Sequence, residues 1–397
     1  MDALGGLGIA GTILQTIVGL LVFLAYATTP TVARRLGFGD RPGAIRAGID
    51  GMWLALVLGI VLLVVGLPLA GGVVDLFGSS TGASSAATTY LSVSLWGLPG
   101  MLLVIAATGL LRGLQDTRTP LVVAIAGFAL NAALNAVFIY GFGWGIAGSA
   151  AGTVIAQWAM AAVYIVMAVR AARSSGASLK PGFAGVAGAL SSGGWLLIRT
   201  AALRASMIAT VYAATTIGVT ELATLQIALT IFSTVAFMLD ALAIAGQAMI
   251  GHSLGASDVP RVSQVSARLV QIGIGCGALL GVVLIALAWL AGPVFTGDAG
   301  VQQQLPVIIV VMAIGAPLAG YVFVLDGVLI GAGDARYLAM AGIVAAIVYL
   351  PMLAAAVLLG GGLLWVWLAF IFGYMAARAV TLGLRARGDR WVVVGAR

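Results

Sequence analysis

Charged residues are scarce in this chain: 8% of its 397 residues are Asp, Glu, Lys or Arg, whereas 62% are hydrophobic. Soluble domains average about 25% charged residues. A chain with so few charges cannot cover this much apolar surface in water. This excludes a soluble enzyme, a soluble nucleic-acid-binding protein and a disordered protein, and makes lipid the expected solvent.

Residues for metal binding and nucleophilic chemistry are also scarce. The chain has one cysteine, Cys276, in an apolar run, and one histidine, His252, in a polar loop. This excludes a disulfide framework, a thiolate metal cluster and a multi-histidine metal site. Since the sequence also lacks paired acids at catalytic spacing, we expect no enzyme activity and no metal or other cofactor.

Long apolar runs alternate with short polar breaks and predict an all-α membrane protein. The runs are about 20 residues or longer, the length that crosses a bilayer, and they are continuous rather than alternating, which excludes a β-barrel. The sequence predicts eleven spans: 5–29, 49–72, 86–111, 119–141, 145–169, 193–217, 221–248, 266–291, 303–330, 338–358 and 362–384.

The basic residues predict the orientation of these spans. They follow the odd-numbered spans and fill the C-terminal segment from Arg378 to Arg397, whereas the loops near Asp75, Glu221 and Asp298 contain no Lys or Arg. By the positive-inside rule the basic loops and the C-terminus are cytoplasmic. Arg199 and Arg204 lie near the predicted cytoplasmic start of the sixth span, where long side chains can snorkel.

Two polar motifs recur in the second half of the chain. Both are displaced by the same number of residues, the number that separates Gly37 from Gly255, which is called the common offset below. RRLGFGDRP resembles HSLGASDVP, which pairs Gly37 and Asp40 with Gly255 and Asp258. GLLRGLQDTR resembles GVLIGAGDAR, which pairs Gly113, Asp116 and Arg118 with Gly331, Asp334 and Arg336. All copies fall on the predicted cytoplasmic side. The two repeats are therefore expected to be parallel, an arrangement that is common in secondary transporters.

The repeat also predicts the domain organisation. We expect an N-terminal lobe at 1–170, a cytoplasmic linker at 171–192 and a C-terminal lobe at 193–397. The sixth span, shifted back by the common offset, falls before Met1. The first repeat is thus expected to lack its opening helix, and a further helix is expected upstream of Met1.

At these motifs the chain resembles the multidrug and toxic compound extrusion (MATE) family, and most of all its DinF-like branch. The resemblance covers essentially the whole chain, including ALNAALNAVFIYGFGWGIAGSAAGTVIAQ and LDGVLIGAGDARYL. It implies a twelve-helix plan with two lobes that form a V around a central cavity. It also implies export of organic, often cationic, compounds in exchange for H+ or Na+.

The resemblance further implies a polar pocket in the N-terminal lobe. Asn131 and Thr153 match polar members of that pocket, and Asn135 replaces an aspartate that some members have. The family's coupling aspartate lies on the first helix. As written, the pocket therefore has polar groups but no carboxylate, which puts proton coupling through this lobe in doubt.

Asp240 lies close to the middle of the bilayer in the predicted topology. It is about nine residues, or about 14 Å, from the predicted end of its span. A charge at this depth costs about 2.5–3.5 kcal/mol, and intramembrane acids usually face a cavity or a partner. We expect Asp240 to bind a proton or a cationic substrate; the alternative is an acid that only ties helices together.

Other polar residues of the spans have two interpretations each. Asp326 and its repeat partner Thr108 either line a cavity or, for Asp326, snorkel toward the interface. The i, i+4 spacing places Asn131 and Asn135 on one helix face, and Thr153 and Gln157 lie on the next helix. These four side chains bind substrate or a proton-carrying water, or they join helices by hydrogen bonds.

The two pairs of cytoplasmic motifs are predicted to be structural. Glycine permits a tight turn, and Asp with Arg caps helix ends or forms salt bridges. We therefore interpret the motif residues as hinges rather than as a binding site.

The sequence as a whole predicts an H+- or Na+-driven exporter of small organic, cationic compounds that works by alternating access. We expect a monomer in the bacterial inner membrane with no nucleic-acid partner. One alternative is a lipid II or lipid-linked oligosaccharide flippase of the same superfamily, which the scarcity of basic residues outside loops disfavours. The other is a non-transporting, truncated membrane protein.

Overall fold

A computed structural model describes residues 2–78 and 80–395, so that Arg397 of the basic C-terminal segment lies outside the described residues. Its contacts divide the chain into two compact units, unit 1 up to Gly193 and unit 2 from Gly194 to Gly395. Each unit is described by itself. The described residues form helices joined by short turns.

The described part of unit 1 contains seven helices and the start of an eighth. They are α1 (Asp2–Leu21), α2 (Phe23–Gly37), α3 (Arg41–Asp75), α4 (Thr81–Leu95), α5 (Leu98–Gly113), α6 (Arg118–Ala136), α7 (Gly145–Ser175) and the beginning of α8 (Phe183–Ile217). A π-helical turn, Val137–Gly141, extends α6. Helix α3 packs on α2 and α5, α1 packs on α4, and α6 packs on α7.

Unit 2 contains the rest of α8 and six further helices. They are α9 (Val219–Gly255), α10 (Val259–Phe295), α11 (Ala299–Gly331), α12 (Ala335–Leu358), α13 (Gly362–Ala369) and α14 (Ala376–Arg387), the last two joined by π-helical residues Phe370–Met375. Helix α11 is at the centre, between α9 and α10. Over half of the residues in an 18-residue apolar stretch of this helix are buried.

The predicted membrane spans are confirmed. Within the described ranges, ten helices are long and apolar enough to cross a membrane, and α4 with α5 makes an eleventh span if the pair, bent by 51°, is counted as one. Gly97 and Pro99 lie at this bend, where a helix is easily interrupted. Each of the eleven predicted ranges lies inside one of these spans.

The internal repeat is visible in the ends of the helices. Helices α2 and α9 end at Gly37 and Gly255, and α5 and α11 end at Gly113 and Gly331, so both pairs of ends are separated by the common offset. The same offset separates the starts of α3 and α10, and those of α4 and α11. The two units are thus repeats of one helix plan.

The predicted role of the motif glycines as turn formers is wrong for Gly113 and Gly331. Both are the last residues of helices, and a Cβ on either would overlap the neighbouring helix, at Thr29 O and Gln247 O respectively. The left-handed conformation instead occurs just beyond them, at Gln115 and Gly333. Motif glycines at these helix ends therefore allow two backbones to approach, and the turn is formed after them.

Helices α10 and α11 are joined through small residues. Gly273, Gly277 and Gly281 form one face of α10, and a Cβ on any of them would meet a carbonyl oxygen of Gly320, Ala316 or Ala313 on α11. Such small-residue faces are typical of membrane helices, because lipid provides no hydrophobic drive for helices to associate and close backbone contact replaces it.

We expect Gly277→Leu to destabilise unit 2, because the side chain would force α10 away from Ala316. Overpacking of this kind should lower the thermal unfolding midpoint in detergent by about 5 °C or more. Gly275→Leu on the same helix is the matched control, since a Cβ at Gly275 meets open space. Equal midpoints for the two variants would show that the close α10–α11 contact is not important for stability.

Candidate functional site

Three of the predicted polar residues of unit 1 form one hydrogen-bonded cluster. Asn131 Nδ2 on α6 donates to Thr153 Oγ1 on α7 at 3.0 Å, and Asn135 Nδ2 donates to Asn131 Oδ1 at 3.4 Å. The Thr153 hydroxyl donates to the carbonyl oxygen of Ser149 at 3.0 Å. All three side chains are half-buried, as the i, i+4 spacing predicts for one face of α6.

The side-chain oxygen of Asn135 is an unsatisfied hydrogen-bond acceptor among the described residues. This Oδ1 atom is buried and accepts no hydrogen bond from the described residues. Gly152 leaves the space that this oxygen occupies, since a Cβ there would overlap it. A buried acceptor without a donor costs about 1–3 kcal/mol. The Oδ1 atom of Asn135 can therefore accept a hydrogen bond from a ligand or a water molecule.

Gln157 is not part of this cluster. Its Nε2 points to α5, 3.3 Å from Met101 Sδ, and its side-chain oxygen lies where a Cβ on Gly97 would be. Gln157 thus lies against the bend between α4 and α5. Of the two interpretations of Gln157, this contact fits the one in which the side chain joins helices.

Thr108 lies apart from the Asn131 cluster of unit 1. Its hydroxyl is 3.5 Å from the Tyr164 hydroxyl, which places it between α5 and α7. It does not contact the Asn131 cluster through any hydrogen bond among the described residues. Thr108 therefore stays a separate candidate.

Asp240 lies deeper in its helix than predicted. Helix α9 continues to Gly255, so Asp240 is about 22 Å from that end at 1.5 Å per residue. The difference arises because hydropathy locates only the apolar part of a helix, and the last turns of α9 are polar. Asp240 is half-buried, close to the middle of a 37-residue helix.

Asp326 on α11 is bound by two arginines. Arg199 Nε on α8 donates to Oδ1 at 3.1 Å, and a second N–H of Arg199 donates to Oδ2. Arg378 Nη2 on α14 donates to Oδ1 at 2.6 Å. The side chains of Asp326 and Arg378 are only 9% and 8% exposed. This triad joins three helices inside unit 2.

The triad corrects two interpretations of the sequence. Neither Asp326 nor Arg199 snorkels toward the membrane surface, because each finds its counter-charge inside the unit. A cavity position for Asp326 that is open to a cationic substrate is also disfavoured, since both of its oxygens accept from guanidinium groups. Arg378, which the sequence places among the cytoplasmic basic residues, is instead a buried partner.

Sequence reasoning missed Arg378, although a signal was available. The residue lies inside the predicted span 362–384, where an arginine is costly without a partner. It also missed the buried hydrogen bond between Thr210 of α8 and Tyr349 of α12, whose hydroxyl oxygens are 2.7 Å apart. Tyr349 is the repeat counterpart of Asn131, so the repeat could have pointed to it.

The acids of the repeated motifs make the structural contacts expected of them. Asp40 caps α3 by accepting from Gly43 N–H at 2.8 Å, and Asp258 caps α10 by accepting from Arg261 N–H at 3.0 Å. Asp334 accepts from Arg385 Nε at 2.7 Å. Its neighbour Arg336 lies instead over the Trp195 ring, at 5.8 Å from the ring centroid.

Asp116 caps the start of α6. It accepts the Thr119 hydroxyl at 2.6 Å and the backbone N–H groups of Thr119 and Arg118 at 3.0 and 3.1 Å. Burial acts to raise the pKa of Asp116, but these hydrogen bonds and the Arg118 charge outweigh it and lower the pKa below its usual value. The carboxylate is thus fixed in its charged, capping form.

Comparison with known proteins decides the family. The family model MatE matches residues 1–137 and 198–355. The chain belongs to the MatE family. Members of this family are transporters rather than enzymes, and the predicted resemblance is confirmed. The helix expected upstream of Met1 stays a prediction.

Individual relatives agree with this assignment. Protein DETOXIFICATION 43 of Arabidopsis thaliana is 32% identical over 83% of this chain and 62% of its own length. The DNA damage-inducible protein F of Escherichia coli is 26% identical over 96% of this chain and 83% of its own. The probable multidrug resistance protein NorM of Rhizobium meliloti is 30% identical over 96% and 86%. The chain spans about half to three-fifths of the length of its Arabidopsis relatives.

A solved structure confirms the fold. The crystal structure of a MATE protein in complex with MaL6 has a TM-score of 0.89 to this chain, covers 98% of it and 88% of its own chain, and is 20% identical. At this identity the similarity establishes the helix plan alone.

We expect Asp326→Ala to destabilise unit 2 strongly, because it leaves two buried guanidinium groups without their shared carboxylate. Breaking a buried ion pair in this way costs about 3–5 kcal/mol. The measurement is the thermal unfolding midpoint in detergent. Asp326→Ala combined with Arg378→Met, the residue at the equivalent position of unit 1 (Met160), should recover part of the loss. A midpoint unchanged by Asp326→Ala would contradict the triad.

Proposed function

We propose that the chain is a secondary active exporter of small organic, cationic compounds, driven by H+ or Na+ and working by alternating access. Membership of a transporter family supports this proposal, as does the multidrug-resistance designation of the NorM relative, to which nearly the whole chain aligns. The proposed setting is the bacterial inner membrane with the C-terminus in the cytoplasm, on the evidence of the basic loops.

The observation that carries the proposal is the position of Asp240. This half-buried acid lies near the middle of a membrane-spanning helix, where an acid without a role would be costly. Of the two carboxylates predicted as ion or substrate ligands, Asp326 already accepts from two arginines through both oxygens. Its depth in a membrane-spanning helix makes Asp240 the proposed site of ion or cation binding in unit 2.

The proposed mechanism exchanges charge at Asp240. In its ionised form the carboxylate attracts an organic cation or Na+. When a proton binds instead, the negative charge disappears and the cation loses its partner, so that binding of one excludes the other. The Asn131 cluster of unit 1 has hydrogen-bonding groups but no carboxylate among the described residues, and we assign it hydrogen bonds to substrate or water rather than charge exchange.

We expect Asp240→Asn to reduce ethidium efflux at least tenfold in proteoliposomes with an imposed pH or Na+ gradient, because asparagine cannot alternate between charged and neutral forms. Asp240→Glu should retain part of the activity and its pH dependence. Asp298→Asn is the matched control, since Asp298 only caps the start of α11.

Unchanged efflux and unchanged pH dependence in Asp240→Asn, at equal protein level, would show that Asp240 is not the coupling residue. Absence of any ion-driven efflux in the unmodified chain, with all tested cations, would contradict the proposed function itself.

A further inference from the structure

The α2–α3 turn and the α9–α10 turn are the same structure built from two sequences. Leu36, Gly37, Asp40 and Pro42 of the first recur as Leu254, Gly255, Asp258 and Pro260 of the second. Both acids cap the following helix, and the left-handed residue falls at equivalent positions, Gly39 and Ser257. The shared residues are those that the turn requires. Residues that differ are free of this requirement.

Five of the differing positions carry arginine or phenylalanine in the first turn, and the matched positions of the second turn carry no arginine, phenylalanine, tyrosine or tryptophan. One position changes the other way, since Gly43 of the first turn corresponds to Arg261 of the second. The five residues of the first turn are Arg34, Arg35, Phe38, Arg41 and Arg46, and their counterparts in the second are His252, Ser253, Ala256, Val259 and Gln264. Since the same fold is built without these side chains, the fold alone does not explain them.

Several of these side chains are open to the surroundings. Arg41 and Arg46 are exposed, and Phe38 is 61% exposed. Arg35 is half-exposed, and its Nη1 makes only a long contact of 3.4 Å with Asp40.

Arg46 lies beside Asp50 and Gly182, close enough for its charge to act on the Asp50 carboxylate. Arg34 is buried, at 6% exposure. Arg35, Arg41 and Arg46 therefore form a basic surface around the turn, and Phe38 lies at its tip.

The depth of this surface is fixed by the helices that it joins. The turn lies between the ends of two membrane-spanning helices, Leu4–Gly37 and Arg41–Asp75. At 1.5 Å per residue these helices are about 50 Å long, which exceeds the hydrocarbon core and reaches the headgroup layer. An exposed apolar ring at this level inserts at the boundary between headgroups and acyl chains. Guanidinium groups bind phosphate oxygens through paired hydrogen bonds.

Orientation in the membrane does not require this concentration of charge. The α9–α10 end, predicted to lie on the same side, has Arg261 and Arg268 and no matched cluster. There the chain's own C-terminal segment approaches the turn, with Gly395 N–H donating to Leu254 O at 3.0 Å. Accessible basic residues beside the end of a membrane helix attract the anionic headgroups of lipids.

We propose that the α2–α3 turn of unit 1 is a binding site for the phosphate headgroup of an anionic membrane lipid, with Arg41 and Arg46 as phosphate ligands and Phe38 inserted beside the acyl chain. The site is separate from Asp240 and from the Asn131 cluster. It would anchor unit 1 to the headgroup layer on the predicted cytoplasmic side.

The test measures lipid binding by the purified full chain. Phosphatidylglycerol or phosphatidylcholine is titrated into the detergent-solubilised protein, and the thermal unfolding midpoint and the lipids retained in native mass spectra are recorded. The test variant F38A/R41V/R46Q introduces the side chains found at the matched positions of the α9–α10 turn. The control variant R261Q/R268Q removes the same number of charges from that turn. R41K/R46K keeps the charge.

We expect phosphatidylglycerol to stabilise the unmodified chain more than phosphatidylcholine does. A surface arginine contributes about a fivefold factor to anionic-lipid affinity, so F38A/R41V/R46Q should bind phosphatidylglycerol about 25-fold more weakly. R261Q/R268Q should change binding less than threefold, and R41K/R46K should keep most of it. An unchanged midpoint of F38A/R41V/R46Q in phosphatidylcholine alone shows that the variant is folded.

Equal losses of phosphatidylglycerol affinity in F38A/R41V/R46Q and R261Q/R268Q would overturn the proposal, because the effect would then reflect the overall charge of the protein. If F38A/R41V/R46Q does not fold, R41K/R46K is compared with R41Q/R46Q instead. Equal lipid binding by these two variants would also overturn the proposal. A titration with sodium phosphate distinguishes the source of the phosphate group. Stabilisation by free phosphate equal to that by the lipid would show that a soluble anion, not a membrane lipid, is the ligand.

Discussion

Close approach of helix backbones is the constraint on which the rest of this structure depends. Lipid is as apolar as the side chains of the spans, so burial of hydrophobic surface gives these helices little reason to associate. Backbone contact at glycine provides the alternative. Gly327 and Gly331 lie against Ala243 and Gln247 of α9. In unit 1, Gly109 and Gly113 make the equivalent contacts with α2, at Ala25 and Thr29.

This constraint explains which residues the two units share. The contacts of α2 with α5 and of α9 with α11 use residues at matched positions of the repeat on both helices of each pair. A larger residue at any of these positions would separate the helices and move the turns that follow them. Conversely, positions away from the contacts are free to differ, and the polar chemistry of the two units differs there. Thr108 and Met160 in unit 1 correspond to Asp326 and Arg378 in unit 2.

The sequence was sufficient for the helix plan and for part of the candidate site. Hydropathy locates all eleven spans because the apolar requirement of a span is local. The i, i+4 spacing is also local, and it places Asn131 and Asn135 on one face. Pairing between distant residues is not local. Arg199 and Asp326 are 127 residues apart, and nothing in either segment indicates the other. The direction of Gln157 likewise depends on the bend at Gly97, which belongs to another helix.

The triad also limits where coupling can occur in unit 2. A group that exchanges a proton for a cation has to give up one partner for another in each cycle. Asp326 would have to leave two buried guanidinium groups to do so, and breaking buried ion pairs costs several kcal/mol. That cost favours a fixed role in which Asp326 joins α8, α11 and α14. Asp240 lies on α9, which the triad does not join, so a change in the charge of Asp240 leaves Asp326 and its two arginines with their counter-charges.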